Sequence, residues 1–234
     1  MRAHIIMNDP LAPPGAVGEW LQYHRYESEI TRAYADEGFP SVDEFELLVI
    51  LGGSVGAYED QYEWLKREKL FIREAIKADK YVIGICLGAQ MIAEVLGGRV
   101  YKMEREEIGW TPIFLSTDSK EKQSNLLNKV PSEFTVFQYH GDTFELPDTA
   151  GLIGQGNVCH NQLFKYKDKV LGLQFHPEFN EGILDNIIKH LGQDLQKKLD
   201  YKDNEALRQS LIKKELITDA NQLLYQLLDN LTHK

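Results

Sequence analysis

The chain has 234 residues, 43% of them hydrophobic, and its 26 Lys and Arg against 36 Asp and Glu give a formal net charge of −10. This length fits one large α/β domain or one domain with a small appendage, and an acidic chain without a long basic run excludes a surface built to bind nucleic acid. Two cysteines imply no disulfide framework, and the sequence shows neither a signal peptide nor an apolar run of the ~20 residues that span a bilayer. We therefore expect a cytoplasmic protein that binds neither nucleic acid nor membranes.

The first half of the chain predicts strands that alternate with helices. Apolar runs at residues 3–7, 46–51 and 81–85 predict buried strands, and the apolar spacing within 64–78 predicts an amphipathic helix between the last two. A helix and a further strand are expected between the first two runs. This alternation predicts an α/β fold with a doubly wound, mostly parallel central sheet and flanking helices, in a flavodoxin-like arrangement.

The strand at 81–85 ends at a cysteine, Cys86, which has Gly84 and Gly88 two residues to either side. Beyond it the apolar residues recur at helical spacing until Gly97 and Gly98, a typical helix stop. This pattern predicts a sharp strand-to-helix turn like the nucleophile elbow known with serine. A helix N-terminus favours the thiolate form, so Cys86 is a candidate nucleophile; the alternative is a small buried cysteine without chemistry.

Polar groups and glycines follow other predicted strands. Gly52 and Gly53 come directly after the strand at 46–51, and His140 follows a strand predicted at 135–139. Because ligands bind at the C-terminal ends of the strands in a doubly wound sheet, we expect these residues on the same rim as Cys86. An ordinary tight turn would also explain the glycine pair.

The last strong strand prediction, residues 170–175, runs into His176-Pro177-Glu178. In an extended chain residues i and i+2 project to the same side, so His176 and Glu178 are expected side by side. A carboxylate beside an imidazole fixes its tautomer and stabilises the imidazolium, which suits proton transfer to and from a nucleophile. The alternative is a strand end at which both side chains only meet water.

The remaining segments predict supporting structure. A bent strand is expected at 100–115, a polar loop with a short helix at 116–130, and two paired strands on either side of Cys159, which is expected to be buried. After Asn180 the chain predicts amphipathic helices, the last of them capped by Thr218. We expect these helices to cover the sheet or a partner subunit.

Four segments in the same order and at comparable separations resemble the class I glutamine amidotransferase family: Gly52-Gly53-Ser54 and the segments at residues 84–90, 139–142 and 174–178. The likeness is greatest to the stand-alone, GMP-synthase-like branch, which the segments at residues 107–110 and 159–162 also resemble. The resemblance implies a catalytic domain over roughly residues 1–190 and leaves 191–234 as a helical C-terminal extension. The family often has histidine where this chain has Ala89, which leaves the choice of substrate more open.

The resemblance implies a role for each matching residue. Cys86 would attack the γ-carboxamide of glutamine and form a γ-glutamyl thioester, His176 would manage the protons, and Glu178 would orient His176. The backbone N–H groups of Gly53 and Leu87 would bind the oxyanion. Neither a metal nor an organic cofactor is needed. The residues that match substrate-binding positions are Gly52, Gln90, Gln138, Tyr139 and His140.

Three functions remain open at this point. The first is a glutaminase that releases ammonia for an acceptor, and because the chain has no ATP-pyrophosphatase motif, a synthetase partner would have to act in trans. The second is a self-contained γ-glutamyl hydrolase or peptidase that uses the same triad on a γ-glutamyl small molecule. The third is a catalytically silent regulatory subunit. A homo-oligomer is compatible with all three.

Overall fold

The computed structural model describes residues 1–116 and 125–232, so most of the predicted loop at 116–130 lies outside the described residues. Short 3₁₀ helices occupy Ala33–Ala35, Val42–Glu44 and Asn125–Leu127. The described residues also form nine strands and six α-helices: β1 (Arg2–Met7), α1 (Ala16–Tyr23), β2 (Glu27–Arg32), β3 (Leu47–Ile50), α2 (Glu63–Lys77), β4 (Tyr81–Ile85), α3 (Leu87–Val95), β5 (Arg99–Leu115), β6 (Glu133–Glu145), β7 (Gly151–Gly156), β8 (Asn161–Tyr166), β9 (Val170–Leu173), α4 (Glu181–Leu199), α5 (Asn204–Leu211) and α6 (Lys214–Thr232).

The nine strands form one sheet in the order β2-β1-β3-β4-β9-β8-β7-β5-β6. The first five strands in this order are parallel, as a doubly wound fold requires, and the remaining four are antiparallel. The connections β6–β7, β7–β8 and β8–β9 are short and contain no helix, and such connections join antiparallel strands, because parallel neighbours need a long crossover. The predicted α/β architecture is confirmed.

Alternate residues of β3 show that helices cover both faces of the sheet. Leu47 and Val49 belong to the apolar cluster that contains buried side chains of α1 and α6. Leu48 and Ile50 belong to the cluster formed with α2 and α3. Because successive strand side chains point to opposite faces, the uninterrupted apolar sequence of β3 reflects burial on both sides.

The C-terminal helices are built into this core. Helix α4 is continuous through position 190, so the expected domain boundary falls inside a helix. Helix α6 packs on the sheet, and Trp20 Nε1 of α1 donates to Asp229 Oδ1 of α6 at 2.9 Å. The prediction that Thr218 caps the last helix is wrong: α6 begins one turn earlier, and the Thr218 hydroxyl donates to the carbonyl of Lys214 at 2.9 Å inside the helix. Among the described residues, no helix combines the length and apolar character needed to cross a bilayer.

Strand β6 differs from its prediction in a way that matters for the site. The sequence predicts an end before His140, but the strand continues to Glu145 because β5 pairs with it on both sides of that residue. Glu107 lies opposite His140, next to a register shift between Lys102 and Glu107. His140 therefore reaches the rim from within a long antiparallel ribbon and not from a strand end.

Candidate active site

Cys86 lies at the sharp turn between β4 and α3, as predicted, with a positive φ of 51°. Two glycines make the turn possible. A β-carbon on Gly84 would lie 2.5 Å from the carbonyl of Gly88, and one on Gly88 would overlap the carbonyl of Ile50. The cysteine is only 5% exposed, yet it forms part of a cavity wall at the C-terminal rim of the sheet.

His176 and Glu178 lie side by side just beyond β9. The Nδ1 atom of His176 donates to Glu178 Oε1 at 2.8 Å, and both side chains are almost fully buried. The imidazole stacks on Phe179 with 4.3 Å between ring centroids, and the backbone N–H of His176 donates to Phe137 O at 2.8 Å. The ring is thus held in one orientation, with Nε2 left for a partner other than Glu178.

A residue of α6 also holds this segment, and sequence reasoning missed it. Asn221 Nδ2 donates to the carbonyl oxygens of Pro177 at 2.7 Å and Phe179 at 3.0 Å. These two carbonyls flank Glu178 in the chain. The C-terminal helix therefore fixes the backbone that carries the histidine and its carboxylate.

Gly52 lies between Cys86 and the imidazole of His176. A β-carbon on Gly52 would lie 2.9 Å from His176 Cε1 and 3.5 Å from Cys86 Cβ, so only glycine fits between them. Burial lowers the pKa of His176, but the nearby Glu178 carboxylate and Cys86 thiol together raise it more, to about 10. At neutral pH the cysteine therefore faces a protonated imidazole.

The two residues predicted to bind the oxyanion, Gly53 and Leu87, pack against each other, and Leu87 directly follows Cys86. A β-carbon on Gly53 would lie 2.8 Å from Leu87 Cδ2 and 3.0 Å from Asn8 Cβ, so the glycine backbone runs close against both residues. Leu87 is the first residue of α3, where a backbone N–H has no acceptor within the helix. Gly53 also lines the cavity.

The cavity in front of Cys86 has a volume of about 520 Å³ and a strongly charged wall. Helix α4, which lies partly outside the family-like region, contributes Ile187, Leu191 and Lys198 to it. A wider groove of about 760 Å³ lies between β5 and the C-terminal helices, but no triad residue lines it. The charged residues of the 520 Å³ cavity are Asp9, Glu59, Lys102, Glu106, Asp142 and Lys198.

The structure separates the residues predicted to bind substrate into two groups. Gln90, Tyr139 and His140 line the cavity, and the carbonyl of Tyr139 lies 3.9 Å from Cys86 Sγ. Gln90 Nε2 donates to Gln174 Oε1 at 3.2 Å, which holds its amide in place. Gln138 is fully buried behind His140, and neither Gln138 nor Gly52 lines the cavity in the described part of the chain.

Comparison with known proteins gives the family. The family model for glutamine amidotransferase class-I matches residues 20–190. The glutamine amidotransferase-like protein YfeJ of Salmonella typhimurium is 31% identical over 99% of this chain and 98% of its own length. A glutamine-hydrolysing GMP synthase subunit of Methanococcus maripaludis is 33% identical over 52% of this chain and 66% of its own length. Gamma-glutamyl peptidase 4 of Arabidopsis thaliana is 28% identical over 76% of this chain and 77% of its own length.

A solved structure is similar along the entire chain, including the C-terminal helices. It is a glutamine amidotransferase from Thermotoga maritima, with a TM-score of 0.89, 31% identity, and coverage of 100% of this chain and 99% of the other. These findings confirm the resemblance inferred from the four sequence segments. The chain belongs to the class-I glutamine amidotransferase family.

Proposed function

We propose that this protein hydrolyses the γ-carboxamide of glutamine with Cys86 as nucleophile. The observation that carries the proposal is that Cys86 and His176 meet across Gly52, with the His176–Glu178 hydrogen bond of 2.8 Å behind the imidazole. The Cys86 thiolate attacks the amide carbon, and the tetrahedral intermediate collapses to a γ-glutamyl thioester as ammonia leaves. His176 protonates the leaving nitrogen and then takes a proton from the water that cleaves the thioester.

In this proposal, the backbone N–H groups of Gly53 and Leu87 donate hydrogen bonds to the negatively charged oxygen of the tetrahedral intermediate. Their position next to Cys86 and at the start of α3 supports the assignment. Losing one such donor costs roughly 10²–10³ in kcat, or about 2.7–4 kcal/mol. We assign the amino-acid end of the substrate to Gly52, Gln90, Tyr139 and His140, with Gln138 supporting His140 from behind.

The fate of the nitrogen separates two versions of this function. In the first, ammonia passes to a synthetase that acts in trans, as the similarity to a glutamine-hydrolysing GMP synthase subunit supports. In the second, the protein acts alone on γ-glutamyl peptides. The similarity to a gamma-glutamyl peptidase over 76% of this chain supports the second version, and so does a cavity of about 520 Å³ that leaves room beyond the γ-glutamyl group. Both cysteines are free thiols, which suits action in a reducing cytoplasm.

The deciding experiment measures ammonia from glutamine and amine from γ-glutamyl dipeptides in parallel, with and without cell extract. We expect turnover of at least one donor class, and extract should raise ammonia release only if a partner is required. Glutamine turnover at the buffer rate together with rapid peptide cleavage would exclude the glutaminase version.

The silent-subunit alternative is tested by Cys86→Ala. The side chain is small and lies at the cavity wall, so the variant should keep the circular dichroism and melting temperature of the wild type while all turnover is lost. A wild-type protein that turns over no γ-glutamyl compound, and whose Cys86 does not react with an electrophilic glutamine analogue, would instead support the silent-subunit alternative.

A further inference from the structure

A second group of metal-ligating side chains lies beside the triad but shares no residue with it. Glu107 of β5, His140 of β6 and Cys159 in the β7–β8 turn are all buried, at 5%, 6% and 2% exposure. One ligand atom from each lies within 4.8 Å of the other two. The hydrolysis proposed above gives no role to Glu107 or Cys159. Their convergence on His140 therefore requires another explanation.

The hydrogen bonds of His140 direct the lone pair of its ring toward other acceptor atoms. Its Nδ1 lies 2.9 Å from the carbonyl oxygen of Asp142, which can only accept, so Nδ1 carries a proton. Its Nε2 lies 3.1 Å from Gln138 Oε1 and 3.4 Å from Glu107 Oε2. A neutral imidazole would therefore point its lone pair at two oxygens.

Turning an amide does not remove this conflict. Gln138 Nε2 donates to Gln162 Oε1 at 3.1 Å, and Gln162 Nε2 donates to Glu107 Oε2 at 3.0 Å. An ionised carboxylate can only accept, so the Glu107 carboxylate fixes the orientation of Gln162, which in turn fixes Gln138. The oxygen of Gln138 must face His140. With Glu107 ionised, the lone pair of His140 Nε2, the Gln138 oxygen and the Glu107 carboxylate all face one space, an arrangement that suits the ligands of a metal ion.

We propose that this cluster is a binding site for Zn²⁺, with His140 Nε2, Glu107 Oε2 and Cys159 Sγ as ligands. Tetrahedral ligands at ~2.0–2.1 Å from zinc lie roughly 3.3 Å apart, close to the 3.4 Å between Nε2 and Oε2. Gln138 Oε1, which lies 3.1 Å from His140 Nε2, is the candidate for the fourth ligand in this proposal. A thiolate and an imidazole select zinc over Mg²⁺ and Ca²⁺, which prefer oxygen ligands alone.

Each of the three ligands already has the second partner that metal sites use to orient their ligands. His140 donates its other ring N–H to Asp142 O, and Glu107 accepts from Gln162. The Thr143 hydroxyl lies 3.2 Å from Cys159 Sγ and can donate to a thiolate. Binding forms the Zn–S bond and releases the thiol proton to solvent.

The site has an entrance and a connection to the triad. His140 lines the cavity in front of Cys86, so an ion can enter from the substrate side. The preceding residue in β6, Tyr139, has its carbonyl against Cys86 Sγ. A bound ion would join β5, β6 and the β7–β8 turn immediately behind this wall of the cavity.

The test measures metal binding in the full chain with Cys86→Ala, because Cys86 and His176 could themselves bind zinc. After removal of metal with a chelator, Zn²⁺ is titrated by equilibrium dialysis with elemental analysis, and Co²⁺ serves as a spectroscopic probe. We expect one equivalent of Zn²⁺ and a thiolate-to-cobalt charge-transfer band with tetrahedral d–d bands. Adding Cys159→Ser should abolish the charge-transfer band and lower the zinc affinity by more than about 100-fold.

Two further variants keep the test decisive. Glu107→Gln retains the shape of the side chain and should lower zinc affinity even if Cys159→Ser folds poorly. His160→Ala, at an exposed position next to Cys159, is the matched control and should bind zinc unchanged. The proposal fails if the Cys86→Ala protein binds no stoichiometric zinc, if binding survives both ligand substitutions, or if it is lost with His160.

Discussion

The protonation state of His176 is set by neighbours that act in opposite directions. Burial lowers its pKa, whereas the Glu178 carboxylate and the Cys86 thiol raise it, and the net value is about 10. An imidazolium is the form that can donate a proton to departing ammonia. In the free enzyme the imidazolium persists at neutral pH and is lost only as the pH rises past the His176 pKa of about 10.

Glu178→Gln removes the charge that is the largest single influence raising the pKa of His176, and it keeps the size of the side chain. An opposite charge at this range shifts a pKa by roughly 1–3 units, so the alkaline limb of kcat/KM should move to lower pH by that amount. The rate should also fall by about 10²-fold or more, because the imidazole loses its orienting acceptor. Ammonia release from glutamine between pH 6 and 11 checks this. Glu205→Gln, an exposed carboxylate on α5, is the control and should leave the profile unchanged.

Glu68 is a buried carboxylate that Asn8 links to the residue before Gly52. Its protonation can be tested through the pH dependence of the free energy of unfolding. Glu68 of α2 is fully buried and accepts from Asn8 Nδ2 at 3.1 Å, and Asn8 also donates to the carbonyl of Leu51 at 3.1 Å, just before Gly52. Burial raises the pKa of Glu68 from 4.5 to about 8, against a smaller lowering by the Asn8 hydrogen bond. Between these two values the folded chain keeps a proton that the unfolded chain has released.

The folded state of the wild type should therefore lose stability as the pH rises from about 5 to 8, relative to Glu68→Gln. At about 1.4 kcal/mol for each pH unit between the two pKa values, the loss is on the order of 4 kcal/mol. Urea unfolding of both proteins at pH 5, 7 and 8.5 measures it, and contributions common to both, such as that of His176, cancel in the difference. Parallel curves for the two proteins would contradict the assignment.

Residues whose role follows from local chain geometry could be predicted from the sequence, and those that depend on a distant partner could not. The turn at Cys86 needs only its flanking glycines, and the His176–Glu178 pairing needs only an extended backbone. Gln138 and His140 lie on the same side of β6, but only His140 lines the cavity, because Gln138 is buried against Gln162 of β8. That contact depends on how distant strands pack, and no local pattern contains the information.

At the scale of elements, α6 fixes the catalytic segment through Asn221, which bridges the carbonyls on either side of Glu178. Helix α6 offers a matched comparison: Asn230 Nδ2 likewise bridges two carbonyls, Leu126 O at 3.0 Å and Asn128 O at 2.8 Å, in a segment that does not line the cavity. Each substitution by alanine removes two hydrogen bonds to backbone carbonyls, at a cost of about 0.5–1.5 kcal/mol for each bond.

Asn221→Ala should lower kcat by roughly 10–100-fold, because a small displacement of His176 and Glu178 spoils a geometry that the reaction depends on. Asn230→Ala should lose comparable stability and keep its kcat. Steady-state kinetics and urea unfolding on both variants separate the two effects. Equal kcat values for the two proteins would show that Asn221 supports only the fold.

The elements themselves are predictable to different degrees. Strands β1, β3, β4 and β9 and helix α2 follow from their own apolar patterns. The bounds of β2 do not, because this edge strand is polar and almost wholly exposed. The length of β6 does not, because His140, Gly141 and Asp142 stay in the strand through pairing with β5. Cap chemistry predicts a start of α6 at Thr218, but Ile217 is buried in the cluster with α4 and α5, which extends the helix toward Lys214.

At the scale of the whole molecule, the sheet and the C-terminal helices share one core. The buried leucines of α6 lie in the same apolar cluster as Ile5 of β1 and Val49 of β3, and α4 supplies Lys198 to the cavity wall. The similar structure from Thermotoga maritima also covers the entire chain. The family-like segments identified in the sequence end near residue 190, but the packing continues beyond that position.

A chain that ends after Leu199 tests whether the helical tail is a separate unit. It lacks five buried leucines of α6, Leu223, Leu224, Leu227, Leu228 and Leu231, and it exposes the sheet surface that they cover. Fully burying one such side chain contributes about 1.5–3 kcal/mol, so the loss is on the order of 10 kcal/mol, comparable with the entire stability of a typical domain. We expect the truncated chain to aggregate or to lose its cooperative melting transition, as measured by size-exclusion chromatography and circular dichroism. A monomeric truncated chain that melts within a few degrees of the full chain would show instead that the tail is dispensable to the core.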